Sequence, residues 1–220
     1  MKKIISLALC LVLSSFVLAG CSKSSEPFEE KSYTSDTPIQ EINLDVQDRE
    51  IEVTLSPDQQ VHIQYFENSK EYYDLSVSDQ NVLTMTSATN KDWTDYIGGK
   101  PSAEYRKITL QVPDALLEQL TLSTTNENIS LSALAVTGSV SISANGGNIS
   151  FGNLDVGNAL TLEVKNGDIS GAIVGGYDDF AIQSNSKKGE TNLPEQKDGG
   201  EKNLNVSSNN GDVNIEFITQ

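Results

Sequence analysis

The chain has 220 residues, with 15 basic and 31 acidic side chains and a formal net charge of −16. Such a surface repels nucleic acid and anionic headgroups. Only two arginines, Arg49 and Arg106, are present, so no arginine cluster exists to grip phosphates, and nucleic acid is not an expected partner.

The chain opens with Lys2 and Lys3, followed by an almost uninterrupted apolar run from Ile4 to Leu18. A basic start and a short apolar stretch form the layout of an export signal. The stretch is shorter than the roughly 20 residues a membrane-spanning helix needs, and no other segment approaches that length. Leu18-Ala19-Gly20-Cys21 resembles the bacterial lipobox. The resemblance implies removal of residues 1–20 and lipidation of Cys21, which anchors the protein to the extracytoplasmic face of a membrane (the outer membrane, if the bacterium has one). Two acyl chains hold a protein stably, whereas one gives marginal binding. Without its leader the chain keeps 13 basic and 31 acidic residues, a net charge of −18. Cys10 lies in the leader and Cys21 takes the lipid, so no disulfide is expected. Residues 21–37 are rich in Ser, Glu, Lys and Pro and read as a flexible tether. The folded domain is expected over 38–220.

From Ile39 the apolar residues alternate: Ile42-Leu44-Val46, Ile51-Val53-Leu55, Val61-Ile63-Tyr65, Leu75-Val77, Leu83-Met85 and Ile108-Leu110-Val112. Period two buries one face of a strand and wets the other, so the expected class is all-β. His62, the only histidine, falls between Val61 and Ile63 and is expected on the solvent side of its strand. One histidine and no free thiol make a zinc site unlike any common ligand set. No nucleophile-elbow sequence accompanies it.

Segment 87–105 interrupts the strands and carries the only tryptophan, Trp93, with Tyr96 and Tyr105. Aromatic side chains in a loop serve as recognition anchors. The alternative is that they fold back over an open end of the domain, shielding an exposed sheet edge.

The second half repeats, most clearly over 108–217. Strand–turn–strand units start at Leu120, Val140, Leu160, Phe180 and Leu204. The residue after each turn is Ile129, Ile149, Ile169, Thr191 and Val213, at spacings of 20, 20, 22 and 22. A fixed period of this size indicates a β-solenoid of two-strand coils, each stacked on the last around a common column of aliphatics. A meander of hairpins is the alternative fold. Gly146, Gly167, Gly189 and Gly211 stand where the turns call for positive φ. Asn145, Asn166 and Asn210 precede three of them, either as hairpin-type turn residues or as a hydrogen-bonded ladder along the stack. Asn166-Gly167-Asp168 and Asn210-Gly211-Asp212 resemble calcium-binding solenoid turns, but the period differs and Ca²⁺ takes six to eight oxygens. Structural turns are the expectation, with no cofactor or metal.

The proline-ended strand Ile108–Pro113, followed by Leu117, Leu120, Leu122 and the recurring Asn/Gly-x-Ile turns, resembles the bacterial "putative adhesin" family of domains of unknown function. These are cell-envelope proteins with β-solenoid-like folds. The resemblance spans roughly 38–217 and consists of repeats, not catalytic residues. It weakens at Glu127, at Thr191 in an inward slot, and in the enlarged loop at 186–203. It implies a non-catalytic surface role toward a glycan, wall polymer or envelope protein. An envelope-maintenance or stress-signalling partner of a membrane protein is the alternative. A solenoid enzyme cleaving acidic polysaccharide is a third reading, and it would need more cations than Lys165, Lys187, Lys188, Lys197 and Lys202 supply.

Overall fold

The structure, a computed structural model, describes residues 26–97 and 99–219. The expected leader (1–20) and Cys21 lie outside the described residues. In chain order the strands are β1 (Glu29–Thr34), β2 (Glu41–Asp45), β3 (Glu50–Leu55), β4 (His62–Glu67), β5 (Glu71–Val77), β6 (Val82–Thr89), β7 (Lys107–Val112), β8 (Gln119–Thr124) and β9 (Ile129–Leu131). They continue with β10 (Leu134–Val136), β11 (Ser139–Gly146), β12 (Ile149–Val156), β13 (Ala159–Asn166), β14 (Ile169–Val174), β15 (Phe180–Ser186), β16 (Gln196–Lys197), β17 (Lys202–Asn210) and β18 (Val213–Ile218). Among the described residues no helix is long and apolar enough to cross a membrane.

The strands form two nine-stranded sheets. One runs β1-β4-β7-β3-β9-β12-β14-β18, with β10 also on β12; the other runs β16-β15-β17-β13-β11-β8-β2-β6-β5. Each coil but the last, which reaches the first sheet only through the Thr191–Val213 bridge, lends a strand to each sheet, and like strands of neighbouring coils pair in parallel. Hairpins would make antiparallel neighbours of consecutive strands, so the meander is ruled out.

The aliphatic column expected from the repeat is present. Ile129 pairs with Ile149, Ile149 with Ile169, and Ile169 with Val213. Ile51 and Ile108 extend the file into the N-terminal half. In the facing sheet Leu83, Ile42, Leu120, Val140, Leu160, Leu204 and Ile182 make a matching file. All are buried. The strands are continuous across the stack because each inward side chain lies over an equivalent one, so each coil buries what its neighbours leave open.

The order of the coils departs from the expectation that each stacks on the last. β17 and β18 insert between the β13–β14 coil and β15, so the unit starting at Phe180 becomes the outermost coil. At the other end, β2 and β3 lie between the β6–β7 coil and the β8–β9 coil. Thr191 bridges Val213 at the open end of its file and is exposed there, while Leu193 is buried nearby. In the outermost coil Ser184 takes the inward position beside Val206, and its Oγ is buried without a hydrogen-bond partner. A hydroxyl at an apolar slot loses its water without recompense. Ser184→Ala is therefore expected to leave urea stability unchanged or raise it by up to about 1 kcal/mol. Ser208→Ala, which breaks the bond from Ser208 Oγ to the Gly211 carbonyl, is expected to lower it by about 1 kcal/mol.

The turns correct two residue assignments. The residue with positive φ in the second unit is Gly147 (φ 122), not Gly146, which ends β11 in register with Asn166. The amide column is therefore shifted. Asn210 Nδ2 donates to Asn166 Oδ1 at 2.7 Å, and Asn145 contributes only its backbone carbonyl, 3.3 Å from Asn166 Nδ2. The longer ladder runs through residues flanking the turn. The backbone N–H groups of Asn148, Asp168 and Asp212 donate to the Oδ1 atoms of Asn128, Asn148 and Asp168, at 2.8–2.9 Å. Glu190 N–H closes the series on Asp212 Oδ1. The aspartates of the two calcium-like turns thus tie coil to coil.

Residues 29–34, expected within a flexible tether over 21–37, are ordered in a strand. Glu29–Thr34 form β1, which pairs antiparallel with β4 from Glu29–Glu67 to Thr34–His62. Composition hid this strand, because its pairing is supplied by β4 rather than by its own apolar residues. His62 is half-buried, not free in solvent, with Thr34 Oγ1 at 3.0 Å from Nδ1 and Asp58 Oδ1 at 3.0 Å from Nε2. Both ring nitrogens serve the β1–β4 edge.

Candidate binding surfaces

Antiparallel β1, β4 and β5 flank the N-terminal end of the stack, where the two arginines are also used. Arg49, 4% exposed, donates from Nε to the Tyr73 hydroxyl at 2.6 Å and from Nη2 to Glu71 at 2.8 Å. Its Nη1 bonds the carbonyls of Gln47 and Asp48, and Lys91 completes the group at 2.6 Å from Glu71. Burial pushes the Glu71 carboxyl up, but Arg49 and Lys91 outweigh it and hold the group below its ordinary value. Burial also raises the Tyr73 phenol. Arg106 and Lys100 both pair with Glu127, which explains why a carboxylate stands in that turn. Both arginines are committed to holding the N-terminal elements to the stack.

Glu71→Gln therefore leaves a buried guanidinium short of its counter-charge, and is expected to cost about 2–3 kcal/mol at pH 7. The sign with pH follows from the lowered carboxyl. Its contribution is complete above the ordinary carboxylate range, near 4.3, and is lost as pH falls through the folded-state value. Urea titrations of wild type and variant should converge on acidification; a gap that persists unchanged below that value would reject the ion pair as its cause.

The three aromatic residues of the 87–105 segment separate into two roles. Tyr105 stacks on Phe28 with ring centroids 5.2 Å apart and meets Phe66 edge-on at 5.5 Å. It packs against the incoming chain and β4. Trp93 and Tyr96 lie on a single 3-10 turn, Trp93–Tyr96, which buries no residue. They are 77% and 64% exposed, and the adjacent Ile97 is 71% exposed. The turn is fixed from beneath: Asp92 N–H donates to Asp95 Oδ2, and Lys70 Nζ stands 3.2 Å from Asp95. The adjoining Asn68–Ser69 turn bonds Glu26, through Asn68 Nδ2 to the Glu26 carbonyl at 3.1 Å and through Ser69 Oγ to the Glu26 carboxylate. The exposed aromatics and the entry point of the N-terminal chain therefore share one corner of the molecule. Ile97 and Glu26 were not among the residues picked out from sequence. Their signal, apolar exposure beside the start of the fold, exists only in three dimensions.

A second surface is the outer face of the sheet containing β13. Period two places polar side chains there in files parallel to the buried ones. Asn43, Thr121, Ser141, Thr161 and Asn205 lie in register across five strands, as do Asp45, Ser123, Ser143, Glu163 and Ser207. Adjacent strands are spaced by about 4.8 Å, so hydroxyl and amide groups repeat at that interval. A shallow cleft of about 370 Å³ lies over the end of this face, lined by Glu163, Gln183, Asn185, Glu195 and Ser207 among others. Such a face offers many neutral donors and acceptors along one direction, which suits an extended polar chain.

These features define the class of protein: a two-sheet parallel β-solenoid whose end coils are threaded out of chain order. The chain belongs to the Toastrack DUF4097 family, whose model matches residues 39–219. Among solved structures it is similar to a "putative cell adhesion protein" of Clostridium sporogenes ATCC 15579. That likeness has a TM-score of 0.61 and 10% identity over 87% of this chain and 100% of the other. It is also similar to a "putative adhesin" of Bacteroides fragilis NCTC 9343, with a TM-score of 0.36 and 14% identity over 88% of this chain and 98% of the other. No curated protein matches the chain. The first of these likenesses bears on the fold.

Proposed function

We propose that the protein is a lipid-anchored, non-catalytic binding module of the bacterial envelope. It is held at Cys21 and is adhesin-like in taking a neutral glycan or wall polymer along the outer polar face of the β13 sheet. The observation that carries this reading is the in-register array of Ser, Thr and Asn side chains on that face. Its neutral hydrogen-bonding groups match a hydroxyl-rich chain, whereas the net charge of −18 left after leader removal opposes an anionic polymer. The lipid on Cys21 keeps the face at the cell surface, where such a polymer is abundant.

The test is sedimentation of the mature protein with isolated wall polysaccharide, beside the double variant Ser141→Arg, Thr161→Arg. Both positions lie on the solvent-facing side of paired strands, so circular dichroism should be unchanged. A loss of about tenfold or more in bound fraction is expected if several of the hydrogen bonds to the polymer, each worth about 1 kcal/mol, are blocked. Equal binding by variant and wild type rejects the face as the contact. Recovery of a membrane protein and no polymer from intact envelopes would favour the maintenance-partner alternative.

A further inference from the structure

We propose that the Trp93–Ile97 turn is a membrane-contact element that inserts into the interface of the bilayer carrying the protein's own lipid and so fixes the tilt of the solenoid. The inference rests on the anchored reading above. It follows from chain length and three contacts. Cys21 precedes Glu26 by five residues, which span at most about 18 Å when fully extended. Glu26 is bonded to Asn68 and Ser69, and the next residue, Lys70, is paired with Asp95 inside the turn. A lipid on Cys21 therefore brings the bilayer surface to the corner where Trp93, Tyr96 and Ile97 project.

The chemistry of the corner suits that occupant. Trp and Tyr concentrate at membrane interfaces, where the ring is partly desolvated and its polar edge meets headgroups. The charges around the turn are largely paired: Lys91 with Glu71, Lys70 with Asp95 and, at 3.8 Å, with the exposed Asp92, and Lys100 with Asp48. A largely paired patch on a strongly acidic protein fits zwitterionic lipid and avoids the repulsion the rest of the surface would meet at anionic lipid. Two acyl chains already supply stable attachment. What the turn adds is a second point of contact at the same end, which limits rotation about the short tether and holds the far coils away from the bilayer.

Trp93 is the only tryptophan in the chain, so its fluorescence reports on the proposed contact without labelling. Mature, lipidated protein is reconstituted into phosphatidylcholine vesicles, with and without bromine on the acyl chains, and flotation is measured in parallel. The expected result is full flotation, blue-shifted emission, and quenching of about twofold by brominated lipid, as for an aromatic group at the interface. The double variant Tyr96→Ser, Ile97→Ser should float equally and lose most of the quenching. Full flotation with the same Trp93 emission in brominated and plain vesicles overturns the membrane contact and leaves the anchor intact. Failure of the wild type to float, or flotation of Cys21→Ala without quenching of Trp93, overturns the anchored reading and this inference with it.

Discussion

Gly167→Ala is expected to lower stability by about 4 kcal/mol or more, well beyond the roughly 1–3 kcal/mol attached to a strained backbone alone. Gly167 has φ +153, and a Cβ there would stand 2.1 Å from the Gly147 carbonyl oxygen and 2.6 Å from its carbon. Gly147, Gly211 and Gly189 meet the neighbouring coil in the same way, with carbonyl oxygens at 2.3, 2.0 and 2.1 Å. The four glycines therefore mark a seam where successive turns touch through their backbones. The obstacle is backbone, so no side-chain rotation relieves it. The coils must separate, and the seam's bonds, Gly147 N–H to Asn166 O at 3.0 Å and Gly167 N–H to Asn210 O at 2.9 Å, lengthen together. Gly199→Ala is the control, with φ +89 and nothing within 4 Å. Urea unfolding of the two variants isolates the seam, and equal losses would contradict it.

Ile149→Ala should cost about 3–5 kcal/mol. Ile149 is fully buried in the middle of the inward file, between Ile129 and Ile169. The stack is a one-dimensional array in which each coil contacts only its neighbours. A void at a central coil therefore removes packing from both sides, and neither neighbour can close it without leaving register. Val213→Ala removes less volume, beside the exposed Thr191 at the end of the file, and should cost about 1–2 kcal/mol. Weakening the centre should also broaden the urea transition and lower its slope as the two ends begin to unfold separately. A smaller loss at Ile149 than at Val213 would argue against a continuous interior.

The all-β class and the buried file were legible because two periods coincide in the sequence, alternation within each strand and the twenty-odd-residue recurrence of Ile129, Ile149, Ile169 and Val213. The order of the coils was not. The units at Phe180 and Leu204 present similar apolar patterns, and pattern alone does not say which packs on β13. The choice follows from details. Asn210-Gly211-Asp212 matches Asn166-Gly167-Asp168, giving the bonds Asn210–Asn166 and Asp212–Asp168. The Phe180 unit instead carries Ser184 in an inward slot with its Oγ unpaired, and a long loop, and takes the end position. Gly146 and Asn145 were misplaced for a related reason: in Asn145-Gly146-Gly147 either glycine could carry the turn, and register with β13 decides for Gly147. At the candidate surface, Trp93 and Tyr96 were legible as loop aromatics. Tyr105 was not separable from them, because its stacking on Phe28 joins residues far apart in the chain. The polar face was present in every alternating strand but acquires meaning only once the strands are in register.

The non-sequential parallel stack is tested most directly by disulfide trapping. Mature protein carrying Thr161→Cys and Asn205→Cys is compared with protein carrying Thr161→Cys and Gln183→Cys. Thr161 pairs with Asn205 on the adjacent strand, within the 4.4–6.8 Å Cα separation a disulfide requires, whereas Gln183 lies one strand further away. Rapid oxidation of the first pair, with the second remaining reduced until unfolded, is the predicted outcome. Ready closure of Thr161→Cys with Gln183→Cys and not with Asn205→Cys would mean the coils follow chain order, contradicting the threading described here.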